Sequence, residues 1–135
     1  MSNPVTVRER PGGIYTNDVI TGRHHLYADE PESFGSADLG PTPFEYLCAA
    51  LGACTTITMR MYVERKKWPV EHLSVDVSHK KVVSGQGPTR DVFTREITII
   101  GEVDEAQRKR IIEIAGKCPV HKTLAASSEI VTQAA

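Results

Sequence analysis

The segment Gly40–Tyr62 reads GPTPFEYLCAALGACTTITMRMY, and the rest of the chain is organised around it. It opens with turn residues, and the stretch Tyr46–Met59 contains no charged side chain. Thr42 is a favoured N-cap, and Glu45 follows three positions later, which completes the pattern of a capping box. The segment therefore predicts a long, largely buried helix with Cys54 near its middle.

The composition around this helix is that of a globular protein. The 135 residues are 40% hydrophobic and 24% charged, with a formal net charge of −1. We expect a single domain over residues 1–135, large enough to bury a core without disulfides. No basic excess favours nucleic acid as a partner, and the uncharged run is too short and too rich in threonine to suggest a membrane span.

Cysteine usage and the start of the chain indicate the compartment. Residues 1–10 carry charges and lack the apolar region of a signal peptide. The three cysteines are an odd number and form no dense framework, which is typical of a reducing environment. We therefore expect a cytoplasmic protein whose cysteines remain thiols.

Strand patterns on both sides of the helix predict an α+β fold with a mainly antiparallel sheet. Before the helix, residues 4–10, 14–20 and 23–29 alternate, and turn residues separate them, as in a meander. After it, residues 73–79 and 93–99 predict an antiparallel hairpin. The second of these strands places an arginine on the same face as phenylalanine and isoleucine.

The last third of the chain predicts two helices and a strand. Asp104 and Gln107 form a second capping-box pattern, and the helix that they begin carries an apolar stripe that includes Cys118. Pro119 breaks this helix and suits the first position of a short helix over residues 119–125. Residues 129–132 predict a final edge strand.

Two cysteines are candidates for chemistry. A buried cysteine taken alone is more often a small core residue than a reactive thiol, and Cys48 fits this interpretation, since it lies about 240° round the helix from Cys54. Cys118 begins the segment CPVHKTL, where a helix start beside His121 and Lys122 is an environment that lowers a thiol pKa. Cys54 and Cys118 are thus candidates for a redox pair, although their spacing does not establish contact.

Other site types have less support. Zinc bound by Cys54, Cys118 and His121 would lack the usual ligand spacing and a fourth ligand. The sequence contains no G-x-S-x-G hydrolase motif, no P-loop and no dinucleotide fingerprint. Arg23 is either a solvated charge at a strand end or a guanidinium that stabilises a thiolate or oxyanion. Glu45 is already explained by the capping box.

The combination of GPTPFEYLCAALGAC with the later CPVHKTL resembles the OsmC/Ohr family of thiol-dependent proteins. The resemblance covers nearly the whole chain and includes GRHHLYADEP before the helix. It is nearest to the OsmC-like branch whose members occur alone or fused behind an α/β-hydrolase domain. It implies antiparallel sheets packed on long central helices in an intertwined homodimer, with the site at the subunit interface.

The resemblance also implies a reaction that needs no metal or organic cofactor. In peroxidase members the first cysteine attacks the distal oxygen of an organic hydroperoxide and becomes a sulfenic acid. The second cysteine condenses with it to a disulfide, which an external dithiol reduces. Cys54 matches the first cysteine and Cys118 the second.

The sequence departs from the peroxidase pattern at one position. The peroxidases pair an arginine with a glutamate that lies ten residues before the reactive cysteine, where this chain has Phe44. Glu45 is one place later, which turns a helical side chain by about 100° and points it away from Cys54. Arg23 is the candidate for the arginine by position.

The leading hypothesis is therefore a homodimeric redox protein that reduces small organic hydroperoxides through Cys54 and Cys118. Two alternatives stay open. The first is a non-catalytic module that binds a small apolar or thiol-reactive ligand, with Phe44 lining the cavity. The second is a structural partner of a hydrolase, which only the fused relatives suggest.

Overall fold

Two antiparallel sheets and three α-helices build the fold over residues 3–135, which the computed structural model describes. The predicted α+β class is confirmed. The residues divide into an N-terminal unit that ends at Leu47 and a C-terminal unit that begins at Cys48.

The N-terminal unit holds a three-stranded sheet of β1 (Thr6–Glu9), β2 (Asn17–Thr21) and β3 (His24–Ala28), paired in sequence order. The predicted meander is confirmed, with shorter strands than the alternation indicated. The register aligns Val7 with Val19 and Val19 with Leu26, which forms one apolar row across the sheet. Val7 and Leu26 are exposed.

A buried carboxylate organises the chain after β3. Asp29 accepts hydrogen bonds from the hydroxyls of Thr16 and Ser36 and from the backbone amides of Glu30 and Leu39. Burial raises the pKa of this carboxyl, but the hydrogen bonds, with that of Ser36 foremost, outweigh burial and hold the pKa far below its ordinary value. This ionised side chain fixes the loop that leads into the first helix.

Helix α1 spans Pro43–Lys66 and begins where the sequence predicts. Thr42 N donates to Glu45 Oε1 at 2.8 Å, and Glu45 N donates to Thr42 Oγ1 at 3.3 Å, so the predicted capping box is confirmed. The helix ends at Lys66, and the next residue, Lys67, has a left-handed φ of 58°. Its buried side chains lie three or four residues apart and end in an adjacent pair: Leu51, Thr55, Met59, then Tyr62 and Val63.

The long hairpin of β4 (Val70–Val82) and β5 (Arg90–Gly101) packs against α1 in the C-terminal unit. The predicted pairing is confirmed, and both strands extend further than predicted. A Cβ atom on Gly52 would lie 3.2 Å from the Val77 side chain, so this glycine allows close approach of β4. The core of the unit is Met59, Tyr62, Val63, Val70, Ile111, Ile114 and Ala115.

Helices α2 (Glu105–Ala115) and α3 (Pro119–Ala125) close this unit. The second capping box is confirmed, since Asp104 and Gln107 exchange both hydrogen bonds. Helix α2 ends at Ala115, so Cys118 lies beyond it rather than on its stripe. The predicted strand over residues 129–132 is wrong: the segment 127–135 forms no regular structure, because no strand in the described part of the chain pairs with it.

None of the helices within residues 3–135 has a run that is both long and apolar enough to span a membrane. Helix α1 has the length, but threonines and terminal charges interrupt its apolar character.

Candidate functional site

The fold brings Cys54 and Cys118 into contact within the C-terminal unit. Cys54 projects from the middle of α1, and Cys118 is the N-cap residue of α3. A hydrogen bond links the two thiols. Cys54 is partly exposed, whereas Cys118 is fully buried. The spacing of Cys54 and Cys118 in the sequence does not establish this contact, whereas the structure contains it.

Local sequence explains the position of Cys118. Gly116 caps α2, and Pro119 takes the first turn of α3, as the sequence predicts. The cysteine between them has a non-helical ψ of 127°, and its sulfur accepts a hydrogen bond from the backbone amide of His121 at 3.4 Å. The thiol therefore occupies the place that a serine or aspartate usually takes at a helix start.

Several donors surround the Cys54 sulfur. Burial raises the pKa of this thiol, but hydrogen bonds from Cys118, the Val120 amide and the Thr58 hydroxyl, together with the charge of Arg95, lower it below its ordinary value. Each of these groups favours the charged form, so Cys54 is the thiol that becomes a thiolate first.

Cys118 has the opposite electrostatics. Burial raises the pKa of its thiol, and the hydrogen bond and negative charge of Cys54 raise it further. The sequence-based expectation that a helix start beside His121 and Lys122 lowers this pKa is therefore wrong. The amide hydrogen bonds of His121 and Val120 do act in that direction, but desolvation and the neighbouring thiolate outweigh them.

Arg95 is the site residue that the sequence analysis did not single out. It lies on the inward face of β5, where its Nη1 donates to Thr55 Oγ1 at 3.0 Å and to the Ala115 carbonyl at 2.9 Å. Its Nη2 lies 2.6 Å from His121 Nδ1. The signal was present, because a charged residue in an alternating apolar face is unusual unless it has buried partners.

The remaining predicted residues lie elsewhere. Arg23 is exposed in the turn between β2 and β3 of the N-terminal unit, and its predicted role toward the thiolate stays a prediction. Glu45 caps α1, and the hydrogen bond from the Thr42 amide lowers the pKa of its carboxyl. Its catalytic role also stays a prediction.

A cavity of about 290 Å³ lies against Arg95 and His121. Its walls combine apolar side chains with polar and charged ones: Leu51, Arg90, Asp91, Val92, Phe93, Leu124 and Ala125. This cavity gives a small, partly apolar molecule room beside the residues that contact the thiol pair. No cluster of three or more potential metal ligands occurs among residues 3–135.

Known proteins share the sequence profile and the fold of this chain. A profile of the family described as "OsmC-like protein" matches residues 35–133. An OsmC-like protein from Mycoplasma pneumoniae is similar in structure, with a TM-score of 0.77 and 20% identity over 93% of this chain and 88% of that one. A search of curated proteins gave no match.

Two further structures carry names that mention hydroperoxides. The organic hydroperoxide resistance protein OsmC from Legionella pneumophila aligns with a TM-score of 0.65 and 17% identity, over 90% of this chain and 88% of that one. An organic hydroperoxide resistance protein from Elizabethkingia anophelis, with thiocyanate bound, aligns with a TM-score of 0.66 and 17% identity, over 90% of this chain and 88% of that one. Because the family profile covers more than half of the sequence, this chain belongs to the OsmC-like protein family.

Proposed function

We propose that this protein is a thiol-dependent peroxidase that reduces organic hydroperoxides through Cys54 and Cys118. The observation that carries the proposal is the contact between a thiol whose pKa is lowered, Cys54, and a buried thiol whose pKa is raised, Cys118. Such a pair supplies a nucleophile at neutral pH and a second thiol in position to resolve its oxidised form.

In the first step the Cys54 thiolate attacks the distal oxygen of the hydroperoxide. A sulfur–oxygen bond forms and the oxygen–oxygen bond breaks, which leaves a sulfenic acid on Cys54 and an alkoxide. The alkoxide takes a proton and departs as an alcohol. The Arg95 guanidinium, which favours the Cys54 thiolate, also favours the negative charge that develops on the leaving oxygen.

In the second step the Cys118 sulfur attacks the Cys54 sulfur and displaces hydroxide, which leaves as water once protonated by the Cys118 proton. The product is a disulfide between the two cysteines. Cys118 is suited to this role because it already contacts Cys54 and, being buried, is shielded from hydroperoxide. An external dithiol then reduces the disulfide through a mixed disulfide and restores both thiols.

The names of the Legionella and Elizabethkingia proteins support the substrate class, because both are called organic hydroperoxide resistance proteins. This chain lacks the glutamate that the family pattern places at Phe44. Arg95, held by Thr55, Ala115 and His121, supplies the cationic group near Cys54 without a carboxylate among these three contacts.

Consumption of cumene hydroperoxide with a dithiol reductant tests the proposal. We expect turnover by the wild-type chain and none above background for Cys54→Ser. Cys48→Ser is the matched control, since Cys48 lies on the same helix, is also partly exposed, and has no assigned role. Equal rates for the wild type and Cys54→Ser would contradict the proposal.

We further propose that the active form is a homodimer. The N-terminal sheet leaves Val7 57% and Leu26 45% exposed, and α1 leaves Ile57 58% and Met61 68% exposed. Apolar surfaces of this kind usually mark an interface. Light scattering is expected to give twice the chain mass of 14.9 kDa, and Met61→Glu is expected to shift the mass toward the monomer. A monomeric wild type would contradict this proposal.

The cavity beside Arg95 favours a second candidate, a module that binds a small ligand without chemistry. Phe93, Leu51 and Leu124 give it apolar walls. A ligand that survives purification, together with thiols that do not react with hydroperoxide, would support this candidate over the peroxidase.

A further inference from the structure

The contact between Arg95 and His121 constrains the charge of the histidine. An arginine side chain has only donors and keeps its proton in proteins. Arg95 Nη2 lies 2.6 Å from His121 Nδ1, so the imidazole nitrogen must offer a lone pair. This requires a neutral ring that carries its proton on Nε2, because a protonated ring has no acceptor and would repel the guanidinium.

The same arginine acts on the Cys54 thiol. Its positive charge favours the Cys54 thiolate, while Thr55 and the Ala115 carbonyl hold Nη1. Nη2 has His121 as its side-chain contact, so the imidazole fixes the second arm of the guanidinium. His121 also donates its backbone amide to Cys118, which links the histidine to both thiols through different atoms.

From this geometry we propose that His121 is a positioning residue that, as a neutral imidazole, holds Arg95 toward Cys54. The proposal rests on Cys54 being the nucleophile of the proposed function. It assigns to an uncharged histidine the task of orienting the arginine, for which a carboxylate is the more usual partner.

Alkylation of Cys54 by iodoacetamide, followed by peptide mass spectrometry from about pH 5 to about pH 9, tests this role, because the alkylation rate follows the thiolate fraction of Cys54. His121→Leu removes the acceptor of Arg95 Nη2, so it should move the midpoint of the Cys54 alkylation curve to higher pH and lower the rate at pH 7 by about three- to tenfold.

His121→Asn is the conservative variant, since its side-chain oxygen can accept from Arg95 near the place of Nδ1. It should rescue the reactivity lost in His121→Leu and return the midpoint of the Cys54 alkylation curve toward that of the wild type. His72→Leu, at an exposed position on β4, is the control for loss of a histidine and should match the wild type.

Identical alkylation curves for His121→Asn and His121→Leu would overturn the proposal, as would a wild-type rate in His121→Leu. If either variant fails to fold, ¹⁵N NMR of the wild-type histidines decides the matter: the proposal requires an unprotonated Nδ1 on His121 at neutral pH, and a protonated Nδ1 overturns it. The predicted alkylation pattern without hydroperoxide turnover would support the role of His121 while contradicting the peroxidase.

Discussion

Cys54 and Cys118 share a hydrogen bond, yet their surroundings differ. Cys54 is partly exposed on α1 and has three hydrogen-bond donors and the charge of Arg95 around its sulfur, so its pKa is lowered. Cys118 is fully buried at the start of α3, and burial with the nearby Cys54 raises its pKa. Contact alone makes a pair, but the difference in desolvation and charge makes one thiol the nucleophile and the other its partner.

The largest effect that separates the two thiols is expected from Cys118→Ser. The serine keeps a donor beside Cys54, so the first attack on hydroperoxide should proceed once, but no disulfide can form. Turnover with a dithiol that reduces only the disulfide should fall to background, while dimedone traps a sulfenic acid on Cys54. Sustained wild-type turnover would show that Cys118 does not resolve the oxidised form.

A smaller effect, about tenfold, is expected from Arg95→Gln, which removes the charge near Cys54. A loss of about one pKa unit of thiolate stabilisation corresponds to a tenfold lower thiolate fraction at neutral pH. The midpoint of the thiolate absorbance against pH measures this directly. Arg108→Gln is the matched control, because Arg108 donates to the carbonyls of Ile99 and Gly101 and not to residues at the thiol site. Equal midpoints in the two variants would show that the charge of Arg95 does not lower the pKa of Cys54.

The order in which the thiols ionise gives a pH prediction. A group with a lowered pKa loses its proton first as pH rises, so Cys54 should be alkylated well before Cys118 at pH 7. The ratio of the two rates should shrink once the pH exceeds the lowered pKa of Cys54, because the Cys54 thiolate fraction then saturates while that of Cys118 still rises. Site-resolved mass spectrometry measures both rates. Faster labelling of Cys118 at neutral pH would reverse the assignment.

An effect no smaller than that of Arg95→Gln is expected from Thr58→Val, which keeps the shape of the side chain and removes one donor to Cys54. The alkylation rate at pH 7 should fall by about tenfold, in line with about 1.5 kcal/mol for one lost hydrogen bond to a charged group. Thr56→Val, whose hydroxyl donates to the Ala53 carbonyl, is the control. Equal rates in the two threonine variants would contradict the role of Thr58 as a donor to Cys54.

Local signals in the sequence predicted most of the fold. The two capping boxes, at Thr42 and Asp104, lie at helix starts because their hydrogen bonds involve residues only three positions apart. Alternation predicted strands β4 and β5, because the period of two along a half-buried strand is also a local pattern. The prediction of a strand over residues 129–132 was wrong, because alternation shows that a segment can pair but not whether a partner strand is available.

The site depended on long-range contacts and was only partly predictable. The family resemblance, and not spacing, joined Cys54 to Cys118. Arg95 was visible as a charge on an apolar face, but its contacts with Thr55 and His121 cross from β5 to α1 and α3. The raised pKa of Cys118 was missed because burial depends on tertiary packing, which a helix start in the sequence does not reveal.

The disulfide between Cys54 and Cys118 can be tested by the mass of the reduced chain after one equivalent of cumene hydroperoxide. We expect a chain that is lighter by two hydrogen atoms and, after digestion, one disulfide-linked pair of peptides that contain Cys54 and Cys118. Unchanged thiols with unconsumed hydroperoxide, or a sulfinic acid on Cys54 without a disulfide to Cys118, would contradict it.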